Sequence, residues 1–127
     1  MSTARKKIVF LIDDDSSIRK VYTAKFSLQP SFEIQSAADG KEGLEKLKGF
    51  IPDIILLDLM MPKMDGFDVL EKIKKDQVLK KIPVIMLTNL EDDTDKAEAL
   101  KRGAVDYFVK AKYTPQEVVD KVEELLK

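Results

Sequence analysis

Short unbroken apolar runs recur along the chain, and they alternate with longer segments of helical periodicity. Three of these runs, at residues 8–12, 54–57 and 82–87, contain almost no polar position, as is typical of central strands in a parallel sheet covered on both faces. Residues 32–37 instead alternate apolar and polar side chains, which predicts an edge strand with one solvated face. Residues 105–109 complete a set of five predicted strands.

Five segments with helical spacing follow the strands, and several begin with a recognisable cap. Asp15 or Ser16 can N-cap the first helix, and Asp65 can cap the third. Residues 114–117 form a capping box with a proline at the first helical position, whereas residues 92–102 make a weaker fourth helix. The positions expected to face inward are Ile18, Val21, Tyr22, Lys25 and Leu28 in the first helix, Leu44 and Leu47 in the second, Phe67, Leu70 and Ile73 in the third, Ala97 and Leu100 in the fourth, and Val118, Val119, Val122, Leu125 and Leu126 in the fifth.

This alternation of strands and helices predicts an α/β fold, a doubly wound five-stranded parallel sheet with five helices. We expect one domain over residues 1–127, with its core at about residues 6–126. Right-handed crossovers place the carboxyl ends of all parallel strands at the same edge of the sheet. Ligands and chemistry collect at that edge in open α/β sheets.

Composition excludes several classes of function. The 127 residues contain 22 basic and 23 acidic side chains, so we expect no direct nucleic-acid partner. The absence of Cys and His excludes disulfides, thiolate chemistry, His-based triads and most zinc sites. No apolar run approaches the roughly 18 residues of a membrane span, and residues 1–7 lack the apolar core of a signal peptide. We therefore expect a cytoplasmic protein that does not contact membranes.

Chemistry-bearing residues follow four of the predicted strands. Asp13 and Asp14 follow the first strand, Asp58 the third, Thr88 the fourth and Lys110 the fifth. Two carboxylates about 4 Å apart repel by roughly 4 kcal/mol at an effective dielectric constant near 20, so the cluster favours a bound cation. An all-oxygen ligand set suits Mg²⁺, or Mn²⁺ as the alternative. A carboxylate beside such an ion, with an ammonium and a hydroxyl nearby, is typical of phosphoryl transfer to a carboxylate.

With these motifs the sequence resembles the receiver domain of bacterial response regulators, the family of the chemotaxis regulator. The matching residues are 11–14, 57–66, 87–88 and 107–110, and the resemblance extends over about residues 6–127. It implies a flavodoxin-like fold with strand order 2-1-3-4-5. It also implies a signalling phosphoacceptor of a two-component system, a protein that catalyses only its own phosphorylation and slow dephosphorylation.

The resemblance also implies a role for each site residue. Asp58 would be the phosphoacceptor, and Thr88 and Lys110 would bind the phosphoryl oxygens. Mg²⁺ would be bound by Asp14, by Asp58 and by the backbone carbonyl of Met60. Asp13 would hold the ion through water, and Tyr107 would be an aromatic switch whose rotamer follows Thr88; the full set is thus Asp13, Asp14, Asp58, Met60, Thr88, Tyr107 and Lys110.

The implied partners are proteins. A histidine kinase or phosphotransfer protein would donate the phosphoryl group, since this chain has no His of its own. A downstream target would bind the surface of the fourth helix, fifth strand and fifth helix, around Leu90, Tyr107, Tyr113 and Glu117. The chain would be a monomer or a weak phosphorylation-dependent dimer.

The sequence departs from the family pattern at a few positions. Ala111 follows Lys110 where the family has a cis proline, and a cis bond before a non-proline residue costs about 3–4 kcal/mol. We therefore predict a trans Lys110–Ala111 bond and a different local loop. Asn89 is larger than the usual residue and is expected to narrow the phosphoryl entrance. Met60 and Leu90 are apolar at the positions that flank the attacking water, so we predict slow dephosphorylation.

Two other interpretations stay open from the sequence. A haloacid-dehalogenase-like phosphatase also pairs two aspartates after its first strand, as Asp13 and Asp15 do, but it would leave Asp58 without a role. A receiver-like interaction module that is never phosphorylated is the second alternative, and Asn89 and Ala111 leave room for it.

Overall fold

The computed structural model describes residues 5–127, so the first four residues of the predicted domain lie outside the described residues. Five parallel strands form one sheet in the order β2-β1-β3-β4-β5, which confirms the predicted fold and strand order. The strands are β1 (Lys7–Ile12), β2 (Phe32–Ala37), β3 (Ile54–Leu57), β4 (Val84–Thr88) and β5 (Asp106–Val109). The helices are α1 (Ser16–Ser27), α2 (Gly40–Lys46), α3 (Gly66–Lys75), α4 (Asp93–Lys101) and α5 (Pro115–Leu125), with short 3₁₀ turns at Leu79–Lys81 and Lys110–Lys112.

Helices cover both faces of the sheet, which explains why the central strands are apolar throughout. Phe10 and Ile12 of β1 pack on the side of α2, α3 and α4. Val9 and Leu11 of the same strand pack on the side of α1 and α5. Successive side chains of a strand point to opposite faces, so a strand buried on both sides needs an apolar residue at every position. β2, the alternating strand, lies at the edge of the sheet.

The helix starts follow the predicted capping signals. The Asp15 carboxylate accepts hydrogen bonds from the first turn of α1, and the Asp65 carboxylate accepts one from the first turn of α3. Thr114 and Glu117 form the reciprocal capping box of α5. Side-chain caps satisfy the N–H groups that a helix start leaves without partners, and they hold each helix at a defined point after its strand.

The prediction of which residues face inward was wrong for parts of three helices. In α1, Val21 is 46% exposed and Leu28 72% exposed, while the buried residues are Tyr22 and Phe26. Phe26 makes an edge-on contact with Phe32 of β2, with ring centroids 5.5 Å apart. A large aromatic pair buries more apolar surface than two scattered aliphatic residues. The helix therefore turns the face that carries Tyr22 and Phe26 toward the sheet.

In α4 the buried residue is Ala99, whereas the predicted Ala97 and Leu100 are exposed. Only three residues of this helix are apolar, so periodicity alone could not select its inner face. In α5, Val118 and its apolar neighbours are buried as predicted, but Leu125 is 48% exposed at the last turn.

Candidate functional site

Four strand ends meet at one edge of the sheet. β1 and β3 are neighbours in the centre, and β4 and β5 continue the sheet on the far side of β3. Asp13 and Thr88 are fully buried, and Asp58 is 5% exposed. Lys110, which follows β5, extends its ammonium to the carboxylates of Asp13 and Asp58. The structure therefore brings together the residues that sequence analysis had selected one by one.

Backbone contacts position the buried Asp58. The amide of Asp58 donates a 2.9 Å hydrogen bond to the carbonyl of Ile12, so β3 is joined to β1 directly below the site. The chain then turns back at Gly66, where α3 begins. A Cβ atom at Gly66 would lie 2.4 Å from the carbonyl oxygen of Asp58, which is too close for any side chain. Glycine at this position lets α3 start against the backbone of Asp58.

The site combines three carboxylates with one ammonium group. Lys110 Nζ is 3.4 Å from Asp58 Oδ2 and forms a second ion pair with Asp13 Oδ2. Burial raises the pKa of the Asp58 carboxyl; the Lys110 ammonium opposes this, and the Asp13 carboxylate adds to it. The net effect is a raised pKa, because burial and a second negative charge both disfavour the charged form.

The carboxylates fit a divalent cation. One oxygen from each of Asp13, Asp14 and Asp58 lies within 4.8 Å of the others. Asp13 Oδ2 is buried, and its partner is the Lys110 ammonium. One ammonium does not balance three carboxylates, so the cluster keeps a net negative charge that favours a bound cation. Oxygen donors of this kind suit Mg²⁺, so the residues present fit the ion that the sequence predicted.

The mouth of the site is a cleft of about 370 Å³. The residues that line it are Asp14, Asp15, Asp58, Met60, Thr88, Asn89 and Lys110. Met60 contributes its backbone as well, since its amide lies 3.3 Å from Asp58 Oδ1 and donates to it. Asn89 is exposed at the rim, where the sequence had placed it at the entrance.

Sequence analysis missed two residues that support the site. In the receiver interpretation Asp15 was predicted only as a helix cap, but it also lines the cleft. Its place in the run of three aspartates was a signal that could have been used. The guanidinium of Arg19 donates a 2.7 Å hydrogen bond to the carbonyl of Asp13. No sequence motif marks Arg19, because its role depends on where α1 lies over the end of β1.

Tyr107 lies inward and is linked to the loop after β4. Its side chain is 5% exposed, and its hydroxyl donates a 2.9 Å hydrogen bond to the carbonyl of Leu90. The amide of Leu90 in turn lies 3.5 Å from Thr88 Oγ1. A chain of contacts therefore connects Tyr107 with the hydroxyl at the site.

The peptide bond that follows Lys110 has the predicted geometry. The Lys110–Ala111 bond is trans, and the chain continues in the short 3₁₀ turn Lys110–Lys112. Within residues 5–127, no helix has the length and apolar character needed to cross a membrane.

Comparisons with known proteins agree with this architecture. The family model described as "Response regulator receiver domain" matches residues 9–123. The "Probable transcriptional regulator ycf27" of Porphyridium aerugineum is 37% identical, over 97% of this chain and 49% of that protein. Among solved structures, "Crystal Structure of the Phosphorylated Cyanobacterial Phytochrome Response Regulator RcpA" superposes with a TM-score of 0.86 at 29% identity, covering 95% of this chain and 94% of that one.

One comparison corrects the predicted partners. The "DNA-binding dual master transcriptional regulator RpaA" of Synechocystis sp. (strain ATCC 27184 / PCC 6803 / Kazusa) is 35% identical over 94% of this chain and 48% of that protein. The chain spans about half the length of the curated relatives it matches. The prediction that nucleic acid is not among the direct partners was therefore wrong. A balanced net charge describes the chain as a whole and does not exclude nucleic acid as a partner.

Proposed function

The chain belongs to the response regulator receiver domains, and we propose that it receives a phosphoryl group on Asp58 from a partner histidine kinase or phosphotransfer protein. The observation that carries the proposal is the convergence at Asp58: a buried carboxylate, with Lys110 Nζ at 3.4 Å and Asp13 and Asp14 close enough to share a cation. Packing requires none of these charges, and burying charged groups is costly even when they are paired.

In the proposed reaction, an oxygen of the Asp58 carboxylate attacks the phosphorus of the partner's phosphohistidine. The P–N bond breaks, the electron pair leaves with the imidazole nitrogen, and an aspartyl phosphate forms. Asp13, Asp14, Asp58 and the Met60 carbonyl would hold Mg²⁺, which would neutralise charge on the transferring oxygens. The chain's own residues do the positioning.

Lys110 and Thr88 have the role of receiving phosphoryl oxygens. The Lys110 ammonium is already held between Asp13 and Asp58, so it needs only a small movement to contact a group attached to Asp58. The Thr88 hydroxyl opposes the rise in the pKa of the Asp58 carboxyl, and both residues line the same cleft. Charge-assisted hydrogen bonds of this kind are about twice as strong as neutral ones.

Phosphorylation of Asp58 would then alter the surface formed by α4, β5 and α5. A phosphoryl group adds a charge of about −1.5 to −2, and Thr88 is the residue next to it that also contacts the loop at Leu90. Because Tyr107 hydrogen-bonds the same loop, a shift of Thr88 would change the balance between two arrangements of this surface. The names of the relatives support a role in the control of transcription.

A receiver-like module that is never phosphorylated is the competing function, and intact-protein mass spectrometry separates the two. The wild type and Asp58→Asn would be incubated with acetyl phosphate in the presence of Mg²⁺ or of EDTA. We expect a labile gain of one phosphoryl group only in the wild type with Mg²⁺. No gain in any sample would favour the unphosphorylated module, and a gain in both proteins would mean that Asp58 is not the acceptor.

A further inference from the structure

A second cleft opens beside the acidic site, between the β3–α3 loop and the start of α4. Its volume is about 540 Å³. Apolar side chains form most of its wall, namely Leu59, Met60, Met61, Pro62, Phe67 and Leu90. Met60 is 60% exposed at its edge. An apolar concavity with an exposed methionine is a feature of surfaces that bind other proteins.

The charged residues that line this cleft are all acidic, although the chain as a whole is nearly neutral. They are Asp14, Asp65 and Asp95. Within the described part of the chain, none of the three forms an ion pair. The nearby cation Arg102 is already engaged, because it pairs with Glu98 at 2.9 Å and lies 5.0 Å over the ring of Phe67. The rim thus has negative charge that the chain itself does not neutralise.

We propose that this cleft docks an amphipathic helix of a partner protein, whose apolar side chain enters the cleft and whose flanking Lys or Arg residues face the aspartates. Helices bind to apolar grooves in this way through residues spaced on one face. The acidic rim favours a basic partner and disfavours an acidic one, since opposite potentials across an interface select partners. The docking surface shares Leu90 and Asp95 with the α4–β5–α5 surface, but its other lining residues follow β1 and β3 or lie at the start of α3.

The position of the cleft gives docking a consequence for the acidic site. Asp14 and Met60 line both clefts, so a helix seated in the second cleft would cover one side of the entrance to Asp58. Ligands that share residues are linked, and each changes the affinity of the other by the same factor. The docking itself stands whether or not Asp58 is phosphorylated.

A synthetic amphipathic helix of Lys and Leu, with a Glu and Leu helix of the same pattern as the control, tests the proposal. The peptides would be titrated into the wild-type chain, without a phosphodonor, while the methionine methyl groups and the tyrosine rings are followed by NMR. We expect saturable shifts at Met60 and Met61 with the Lys peptide, and none at the buried Met86, which serves as an internal reference.

Matched charge reversals locate the binding. Asp95→Lys should lower the affinity for the Lys peptide at least about threefold, since it replaces an attraction at the half-buried Asp95 with a repulsion. Asp95→Asn should give an intermediate loss, and Asp120→Lys on α5 should give none. An unchanged spectrum of the free variants would show that they fold.

Three outcomes would overturn the proposal. One is equal binding of the Glu peptide, and another is an equal effect of Asp95→Lys and Asp120→Lys. The third is a set of shifts centred on Tyr107 and Tyr113 without change at Met60 and Met61, which would place the peptide on the α4–β5–α5 surface. Since the titration involves no phosphate, a failure here leaves the test of Asp58 phosphorylation unaffected.

Discussion

Replacing Asp14 by asparagine should stabilise the protein in the absence of Mg²⁺ and make it insensitive to the ion. The Asp14 side chain is exposed and forms no hydrogen bond within the described residues, so the substitution removes a charge and little else. Its neighbours are two carboxylates and one ammonium, from Asp13, Asp58 and Lys110. Asp14 therefore faces a net charge of about −1 at close range.

The separation of the carboxylate oxygens sets the size of the effect. At 4.8 Å, the upper limit of these separations, two unit charges repel by about 3.5 kcal/mol at a dielectric constant of 20 and by about 0.9 kcal/mol in water. Because Asp14 is exposed, the value in water is the appropriate one, and we expect a gain of about 1 kcal/mol. For a chain of 127 residues, this corresponds to a rise in Tm of about 4 °C.

Thermal melts with and without Mg²⁺ measure both effects. In EDTA, Asp14→Asn should melt above the wild type, and Asp14→Ala should behave similarly. At about ten times the dissociation constant, Mg²⁺ stabilises the wild type by about 1.4 kcal/mol, so the order of the two proteins should reverse. Glu124→Gln, an equivalent neutralisation at an exposed position of α5, should change Tm little under either condition.

Two results would refute this reasoning. If Asp14→Asn melted below the wild type in EDTA, the carboxylates would not be repelling one another. If Mg²⁺ raised the Tm of the wild type and of Asp14→Asn equally, binding of the ion would not depend on Asp14.

Three further predictions concern the loop, the acid stability and the lifetime of the phosphoryl group. Lys63, in the loop between β3 and α3, has a left-handed backbone with φ of 69°. This conformation costs a residue with a Cβ about 1–2 kcal/mol. Lys63→Gly should therefore raise Tm by a few degrees, while Lys63→Ala, which keeps the Cβ, should not. Burial raises the pKa of Asp53, but hydrogen bonds from the Ile8 amide and a neighbouring guanidinium outweigh it, so the pKa lies below the ordinary value of 3.8. The stability that Asp53 contributes is therefore present above pH 3.8 and is lost as the pH falls through the lower pKa of the folded state. In urea titrations, the difference in free energy of unfolding between the wild type and Asp53→Asn should shrink below about pH 4. A difference that did not change with pH would contradict the lowered pKa of Asp53. Finally, the Met60→Asn, Leu90→Glu double variant should lose its phosphoryl group faster than the wild type after labelling with acetyl phosphate. Polar side chains can orient the attacking water, and the apolar side chains of the wild type cannot. Equal rates of dephosphorylation would mean that both residues serve only packing.

The sequence alone determined the architecture and the composition of the acidic site. Strands buried on both faces must be apolar at every position, so β1, β3 and β4 were visible as unbroken runs. Parallel strands joined by helices share one carboxyl edge, which was enough to predict that Asp58 and Lys110 would lie at the same place. The family motif, and not the spacing of residues, supplied the strand order.

Only the tertiary structure decided which faces and neighbours these residues have. α4 contains too few apolar residues for periodicity to select Ala99 over Leu100, and its inner face was set by its position against the sheet. The contact of Arg19 with the Asp13 carbonyl depends on where α1 lies, and the second cleft depends on the distance between two loops far apart in sequence. Side-chain periodicity is a local property of the chain, whereas burial, clefts and charge pairing arise from the packing of distant segments.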